Sequence, residues 1–272
     1  MTKVTKIILP SAGLAKRLRP LTNRIPKALV RLNGQPLLAY MLREAEVSGI
    51  YEAIVIANPQ HVGHFERYWK AHAKDFPGIK KMYIRVQHVP LGDGHAVLQA
   101  ADLITREPVA VRFLDDIIVS KMPLLVASLR LYEAVRAPIV LLEKVPWALV
   151  YRYGIAGISR TMKNTFQIPG KIYRLTSFIE KPSRKEAPSN LIFAGACILS
   201  PLLISRLTRM GKEITSHQHD ALRLADVFRA MLLREDTVYG YQFQGTRLDC
   251  GTLDGFTHAE IFMRTHPQDF FG

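Results

Sequence analysis

Short apolar runs alternate through the first half of the chain with stretches whose apolar positions fall three and four apart. Residues 7–9 (Ile-Ile-Leu) form the first run, and Pro36 opens a helical stretch with Leu37, Leu38, Met41, Leu42 and Ala45 on its apolar side. Gly49 closes that helix, and residues 53–57 (AIVIA) suit a strand covered on both faces. Residues 61–73 are helical in spacing, with Phe65, Tyr68 and Trp69 placed for a core rather than for stacking on a ligand. Residues 83–86 read as a short strand, 95–104 as a helix, 108–114 (PVAVRFL) as a buried strand, 125–133 as a helix and 139–142 as a strand.

The rhythm then changes. Residues 151–199 hold Gly154, Gly157, Pro169, Gly170 and Pro182 among β-like runs at 172–179 and 191–199, which predicts antiparallel strands and hairpins. Residues 222–234 are an amphipathic helix with Leu222, Ala225, Phe228, Met231 and Leu232 on one side. Residues 238–243 alternate like a strand, 256–263 are helical, and the closing THPQDFFG reads as frayed. Together these elements predict an α/β fold: a doubly wound, mainly parallel but mixed, Rossmann-like sheet with helices on both faces and an inserted antiparallel β region. No repeat, low-complexity tract or linker divides the chain, so residues 1–272 read as one domain.

Composition narrows the functional classes. With 48% hydrophobic and 22% charged residues in 272, the chain can bury a sizeable core. No apolar run reaches the roughly 18 residues of a membrane span, so no membrane partner is expected. The start, MTKVTKIILP, passes directly into a strand rather than a secretory signal. Cys197 and Cys250 have no metal-like spacing, which points to a reduced, cytoplasmic setting. His217 and His219 form an H-Q-H pair without a third ligand at sensible spacing and read as a polar loop before a metal pair. The net charge of +14 calls for an anionic partner: a nucleotide, a sugar phosphate or nucleic acid. A basic arm, a recognition helix and aromatics interleaved with arginine are all missing from the sequence, so nucleic acid is not expected.

The stretch LPSAGLAKRLRPLTNRIPKALVRL, from Leu9 to Leu32, meets that demand. Small residues at Ser11, Ala12 and Gly13 follow the first strand, then Lys16, Arg17, Arg19, Arg24, Lys27 and Arg31, with no acid before Glu44. A strand ending in a small-residue turn lets backbone N–H groups approach a ligand, and the cations add charge-assisted hydrogen bonds. Phosphate asks for both; on charge alone a solvated basic loop would serve equally. Gly13, Arg17, Pro20, Thr22, Pro26 and Lys27 stand on a G-x-G-T-R, x-P, P-K signature, and in this the chain resembles the sugar-1-phosphate nucleotidyltransferases, most closely those that use UTP. Ala15-Lys16 replace the family's Gly-Thr, and Ala28 replaces an acid or amide.

Four further segments follow in the family's order. VQHVPLGDGHAVLQA, from Val86, is on its own only a glycine turn before a helix; the resemblance implies that Gln87 and Gly94 contact uracil. Phe113-Leu114-Asp115-Asp116 ends a strand where open α/β sheets place ligands, and its carboxylates suit Mg²⁺ or a simple turn. The resemblance selects Asp116 as a metal ligand and pairs it with Asp249 of Asp249-Cys250-Gly251-Thr252. Glu180-Lys181-Pro182 resembles the family's sugar-phosphate clamp, supported by the following APSNLIFAGACILS and by Tyr153-Gly154. In residues 221–226 only Asp226 keeps the polar character of relatives; Ala221 and Arg223 depart from it.

The resemblance therefore implies transfer of a uridylyl group from UTP to glucose 1-phosphate with Mg²⁺ as cofactor. Arg17, Lys27, Asp116 and Lys181 would be catalytic; Ala12, Gly13, Lys16, Gln87 and Gly94 would hold the nucleotide; Gly154, Glu180, Lys181 and Gly195 would hold the sugar. Residues 1–145 would mainly serve the nucleotide and 146–272 the sugar phosphate, in a homo-oligomer, dimer or tetramer. Another sugar phosphate, dTTP, or a nucleotide-sugar-binding paralogue without turnover remain as alternatives. A Rossmann dinucleotide site is excluded, because the first turn carries one glycine, Gly13, where that fingerprint needs three.

Overall fold

Strand β1 (Lys6–Ser11) runs through the middle of the molecule because Ile7, Ile8 and Leu9 are fully enclosed. The structure, a computed structural model, describes residues 3–104, 106–214 and 221–266. After β1 come a small hairpin, β2 (Arg31–Leu32) and β3 (Gln35–Pro36), then α1 (Leu37–Val47), β4 (Glu52–Ala57), α2 (Val62–His72) and β5 (Lys81–Val86). Next are α3 (Asp93–Leu98), β6 (Val109–Arg112), β7 (Asp116–Val119), α4 (Leu124–Val135) and β8 (Ile139–Lys144). The second half adds β9 (Gly154–Met162), β10 (Lys171–Glu180), β11 (Leu191–Leu199), α5 (Pro201–Ile214), α6 (Leu224–Leu232), β12 (Tyr239–Gln242), β13 (Thr246–Asp249) and α7 (Leu253–Thr265).

Nine strands form one mixed sheet in the order β5-β4-β1-β6-β11-β8-β12-β10-β9. Successive side chains of a strand point to opposite faces. Ile7 and Leu9 accordingly join a core with α1, α2, α4 and α7, while Ile8 joins a second core with α3, α5 and α6. The expected mixed sheet with helices on both faces is the observed one.

Three differences from the sequence reading matter for the site. First, β11, read as part of the antiparallel insertion, lies in the centre between β6 and β8, with Cys197 opposite both Val111 and Val140. Its run LIFAGACIL is apolar on both faces, as a central strand requires. Second, α5 was not anticipated, although Ser200-Pro201 is a helix start and Leu203 and Leu207 lie one turn apart in the core. The N–H of Leu203 donates to Ser200 Oγ at 3.3 Å, closing the first turn. Third, the buried strand expected over 108–114 stops at Arg112, and β7 begins at Asp116 in a separate pair with β13. That break turns the chain out of the sheet at its carboxyl edge. The H-Q-H pair, His217 and His219, lies outside the described residues, as does most of the THPQDFFG tail. No helix among the described residues is long and apolar enough to cross a membrane.

Candidate active site

β1 delivers Ser11 to the carboxyl edge of the sheet, in register with Ala57 of β4. The chain then turns through Ala12 and Gly13 to Ala15, which sits in the left-handed region at φ 45°, ψ 41°. A side chain there costs roughly 1 kcal/mol that glycine would not. Two anchors hold the turn: Thr22 Oγ1 donates to the Ala15 carbonyl at 3.0 Å, and Leu18 is fully buried. A cleft of about 350 Å³ opens between this turn and the start of α3, lined by Ser11, Gly13, Lys27, Gln87, Asp93 and Asp115 among others. A larger groove, about 660 Å³, lies between α1 and α2 beside Arg31, Tyr40 and His72, but brings no paired carboxylates to a strand end. Chemistry rather than size selects the smaller cleft.

Charged groups gather beside it. Lys27 Nζ lies 2.7 Å from Asp115 Oδ2. A Cβ placed on Gly251 would stand 3.0 Å from Asp249 Oδ1, 3.1 Å from Asp115 Oδ2 and 3.8 Å from Arg17 Nη2, so these groups converge over bare backbone. Asp249 is also directly opposite Asp116 across β7 and β13. Asp116 Oδ1 accepts from Arg247 Nη1 at 2.7 Å, and Arg247 also holds Glu143 and lies 3.8 Å from Asp249 Oδ2. Gly195, at φ +62°, leaves room for Asp116: a Cβ there would sit 1.9 Å from Asp116 Oδ2. Arg247 went unnoticed in the sequence; the signal was available, since Arg247 and Asp249 share one face of a strand at spacing two.

The two adjacent acids differ in how tightly they hold a proton. Burial works to raise Asp115, but Lys27, with help from Arg17, outweighs it and holds the carboxyl below its ordinary range. At Asp116 burial dominates, and the like charges of Asp115 and Asp249 offset Arg247, so its pKa is pushed up to about 6. Both cysteines are buried, and burial first of all keeps each thiol protonated. Neither is a nucleophile.

The other expected residues occupy defined places. Gln87, nearly enclosed, donates Nε2 to the Gly92 carbonyl at 3.0 Å and lies 2.9 Å from His95 Nδ1. The Gly94 N–H donates to Asp93 Oδ1 at 2.8 Å, and a Cβ on Gly94 would meet the Leu222 carbonyl at 3.0 Å. Gly94 thus faces the α6 entrance. Glu180 ends β10 opposite Gly154, where a Cβ would crowd Glu180 Oε2 at 3.0 Å. Lys181, at φ 47°, donates its N–H to the Tyr153 carbonyl; its side chain is 60% exposed, with Nζ 3.9 Å from Glu180 Oε1. The Lys16 side chain is exposed and makes no ion pair or side-chain hydrogen bond among the described residues. The structure therefore brings Arg17, Lys27, Asp116 and Asp249 together and sets Glu180 against Gly154, while Lys16 and Lys181 stand at the solvent edge.

No group of three or more His, Cys, Asp or Glu among the described residues is placed to hold a metal. Mg²⁺ needs less: one or two carboxylates, completed by water and substrate phosphate. Asp116 and Asp249 are hard oxygen donors at facing positions, and a divalent cation would offset both the burial that raises Asp116 and the like charges of Asp115 and Asp249 that add to it. The donor set fits.

Comparison with known proteins identifies the family. The nucleotidyl transferase family profile matches residues 5–266. The chain is 29% identical to the UTP–glucose-1-phosphate uridylyltransferase of Mycoplasma pneumoniae, over 96% of this chain and 93% of that protein. It is 30% identical to the UTP–glucose-1-phosphate uridylyltransferase 2 of Staphylococcus saprophyticus, over 96% and 92%. A UDP-glucose pyrophosphorylase solved with UDP-glucose superposes at a TM-score of 0.83 with 27% identity, covering 96% of this chain and 99% of that one. The UTP-bound enzyme of Acinetobacter baumannii superposes at 0.79 with 27% identity, covering 98% and 95%. On the match of almost its whole length, the chain belongs to the nucleotidyl transferase family.

Proposed function

We infer that this protein transfers the uridylyl group of UTP to glucose 1-phosphate, forming UDP-glucose and pyrophosphate. The observation that carries the reading is the convergence of Arg17, Asp249 and the Lys27-paired Asp115 on Gly251, beside the cleft. The uridylyltransferase relatives and the structures solved with UDP-glucose and UTP support the choice of substrates.

In this reaction a phosphate oxygen of the sugar phosphate attacks the α-phosphorus of UTP, and the bond to pyrophosphate breaks. No enzyme nucleophile is required, so the protein's task is positioning and charge neutralisation. The backbone of Ala12 and Gly13 lets the triphosphate come close, and Arg17 and Lys27 place positive charge toward the leaving pyrophosphate. Glu180 accepts sugar hydroxyls over the bare backbone of Gly154, and Lys181 swings in from solvent to neutralise the sugar's phosphate. Asp116 and Asp249 would hold Mg²⁺, which when bound would draw charge from the phosphate oxygens. Arg247 keeps Asp116 paired and aimed. A cytoplasmic homo-oligomer, dimer or tetramer, belongs to the same reading, and sedimentation velocity measures the assembly.

Pyrophosphate release with Mg²⁺ and a panel of nucleotides and sugar phosphates tests the reading, and UTP with glucose 1-phosphate is expected to be fastest. Faster turnover with dTTP or another sugar phosphate would replace the substrates. Binding of UDP-glucose without turnover of any pair would make the chain a nucleotide-sugar-binding relative, a reading favoured by the strained Ala15 and by the Arg247–Asp116 pair.

A further inference from the structure

The groove between α1 and α2 encloses about 660 Å³, against about 350 Å³ for the cleft, and the two share no lining residue. That volume is in the range of small-molecule sites. Three elements bring hydrogen-bond donors to it: Arg31 comes from β2, Arg43 from α1 and Tyr68 from α2. Arg31 makes no ion pair among the described residues, and its Nη1 donates to the Gly34 carbonyl at 2.7 Å, which steadies the side chain. Arg43 lies over the Phe76 ring, 5.1 Å from its centroid, and donates from Nη1 to Glu46 at 2.7 Å. Glu46 does not line the groove, and its other oxygen accepts the Gly78 N–H at 2.6 Å. Neither guanidinium exhausts its donors in these contacts.

Tyr68 feels both cations. Burial pushes its hydroxyl up to about 12, Asp75 adds to the rise, and Arg31 and Arg43 oppose it. The phenol is therefore a neutral donor in the field of both guanidinia, and it makes no hydrogen bond among the described residues. Asp75 is the one acid in the lining, and its Oδ2 lies 2.9 Å from His72 Nδ1. Flat apolar surface completes the groove. Tyr40 is anchored by its hydroxyl on the Leu32 carbonyl at 2.9 Å, and the Tyr68 ring lies 4.8 Å from that of His72. A carboxylate is flat and is served by the parallel N–H groups of one guanidinium. Two guanidinia and a hydroxyl from three separate elements suit a tetrahedral phosphate, whose terminal oxygens accept from several directions. Asp75 disfavours a second anionic group but can accept hydroxyls, and the tyrosine rings offer contact to a ring.

We propose that this groove is a second ligand site, taking a phosphate monoester of a hydroxylated ring compound, with the phosphate on Arg31, Arg43 and Tyr68 and the ring against Tyr40. A sugar phosphate and a nucleoside monophosphate share that chemistry. The site does not rest on the uridylyl-transfer reading, because none of its residues belongs to the cleft.

Isothermal titration with glucose 6-phosphate, adenosine monophosphate and inorganic phosphate separates the sources, on wild type, Arg43→Gln and Tyr68→Phe. At least one ring compound is expected to bind with a Kd below about 1 mM and about tenfold more tightly than inorganic phosphate, and the tighter of the two tells sugar from nucleoside. Arg43→Gln should weaken that binding about tenfold or more, and Tyr68→Phe about threefold, since each removes one donor to a charged group. Melting curves of the ligand-free proteins check the fold. Failure of both ring compounds to bind wild type below about 1 mM would overturn the proposal, as would inorganic phosphate binding as tightly as they do. Affinities unchanged in both variants would place the binding elsewhere, the cleft included, and would overturn it too. Should Arg43→Gln fail to fold, Tyr68→Phe, which loses a single hydroxyl, decides alone by the same comparison.

Discussion

Asp115 and Asp116 are neighbours in the chain but answer to different cations. Lys27 holds Asp115 at 2.7 Å, and Arg247 holds Asp116 at the same distance. Lys27→Met would leave a largely buried carboxylate unpaired and remove charge from the phosphate side of the cleft. We expect kcat/KM to fall about 100-fold, as when one preorganised donor is lost, and stability to fall by about 1–3 kcal/mol. Pyrophosphate release and urea melts measure the two effects. Asp116 makes a prediction of opposite sign for stability. Its folded pKa, about 6, lies above the ordinary 3.8, so the folded state holds the proton more tightly. That contribution is full below the unfolded pKa and is lost as pH rises through about 6. Between pH 5 and pH 7 the wild-type protein should lose about 1 kcal/mol that Asp116→Asn keeps, while the variant loses turnover. Melts at the two pH values in metal-free buffer check this.

The β7–β13 pair is the element that makes the carboxylate site, and it does so by leaving the main sheet. Antiparallel register sets Asp116 opposite Asp249, and the central strand β11 passes close behind with Gly195. Only a residue without a Cβ fits there, since φ is +62° and Asp116 Oδ2 would lie 1.9 Å from the added carbon. Gly195→Ala should therefore cost about 1–2 kcal/mol from backbone strain alone and push Asp116 off Arg247. Activity should fall more than stability, which parallel kinetics and melts would show. The other wall of the cleft depends on α3 and α6 in the same way. The backbone of Leu222 packs against Gly92 and Gly94, so the α6 entrance and the glycine turn before α3 are one unit.

At the scale of the whole molecule, the two halves of the chain share one sheet. β11, from the second half, separates β6 from β8 of the first, and Ile198 is fully buried between them. Neither half can bury its apolar strands without the other, so unfolding should be a single cooperative transition. Ile198→Ala should cost about 2–5 kcal/mol and shift the whole urea curve without splitting it. The net charge of +14 acts at the same scale. Encounter with anionic substrates should be steered electrostatically, so raising salt should increase the KM for UTP more than it lowers kcat.

Much of this was legible in the residues. The run Ile7-Ile8-Leu9 could only be a strand buried on both faces, and the small turn with Arg17 and Lys27 had to sit at its end. Local spacing sufficed there, because periodicity and chain connectivity are properties of neighbouring residues. α5 was missed despite its Ser200-Pro201 start, because the apolar run before it invited a longer β reading. The position of β11 could not be read, since pairing with Val111 and Val140 joins residues far apart in the chain. The same holds within the site. The chain order places Asp115 beside Asp116, but the break after β6 sends one toward Lys27 and the other toward Arg247. The second hydrogen bond to Asp93 Oδ1 is likewise long-range, since the Leu224 N–H of α6 reaches it from 131 positions away. Side-chain chemistry and short-range pattern reside in the sequence; which charge meets which partner is settled by long-range packing, where the electrostatic environment of each group is made.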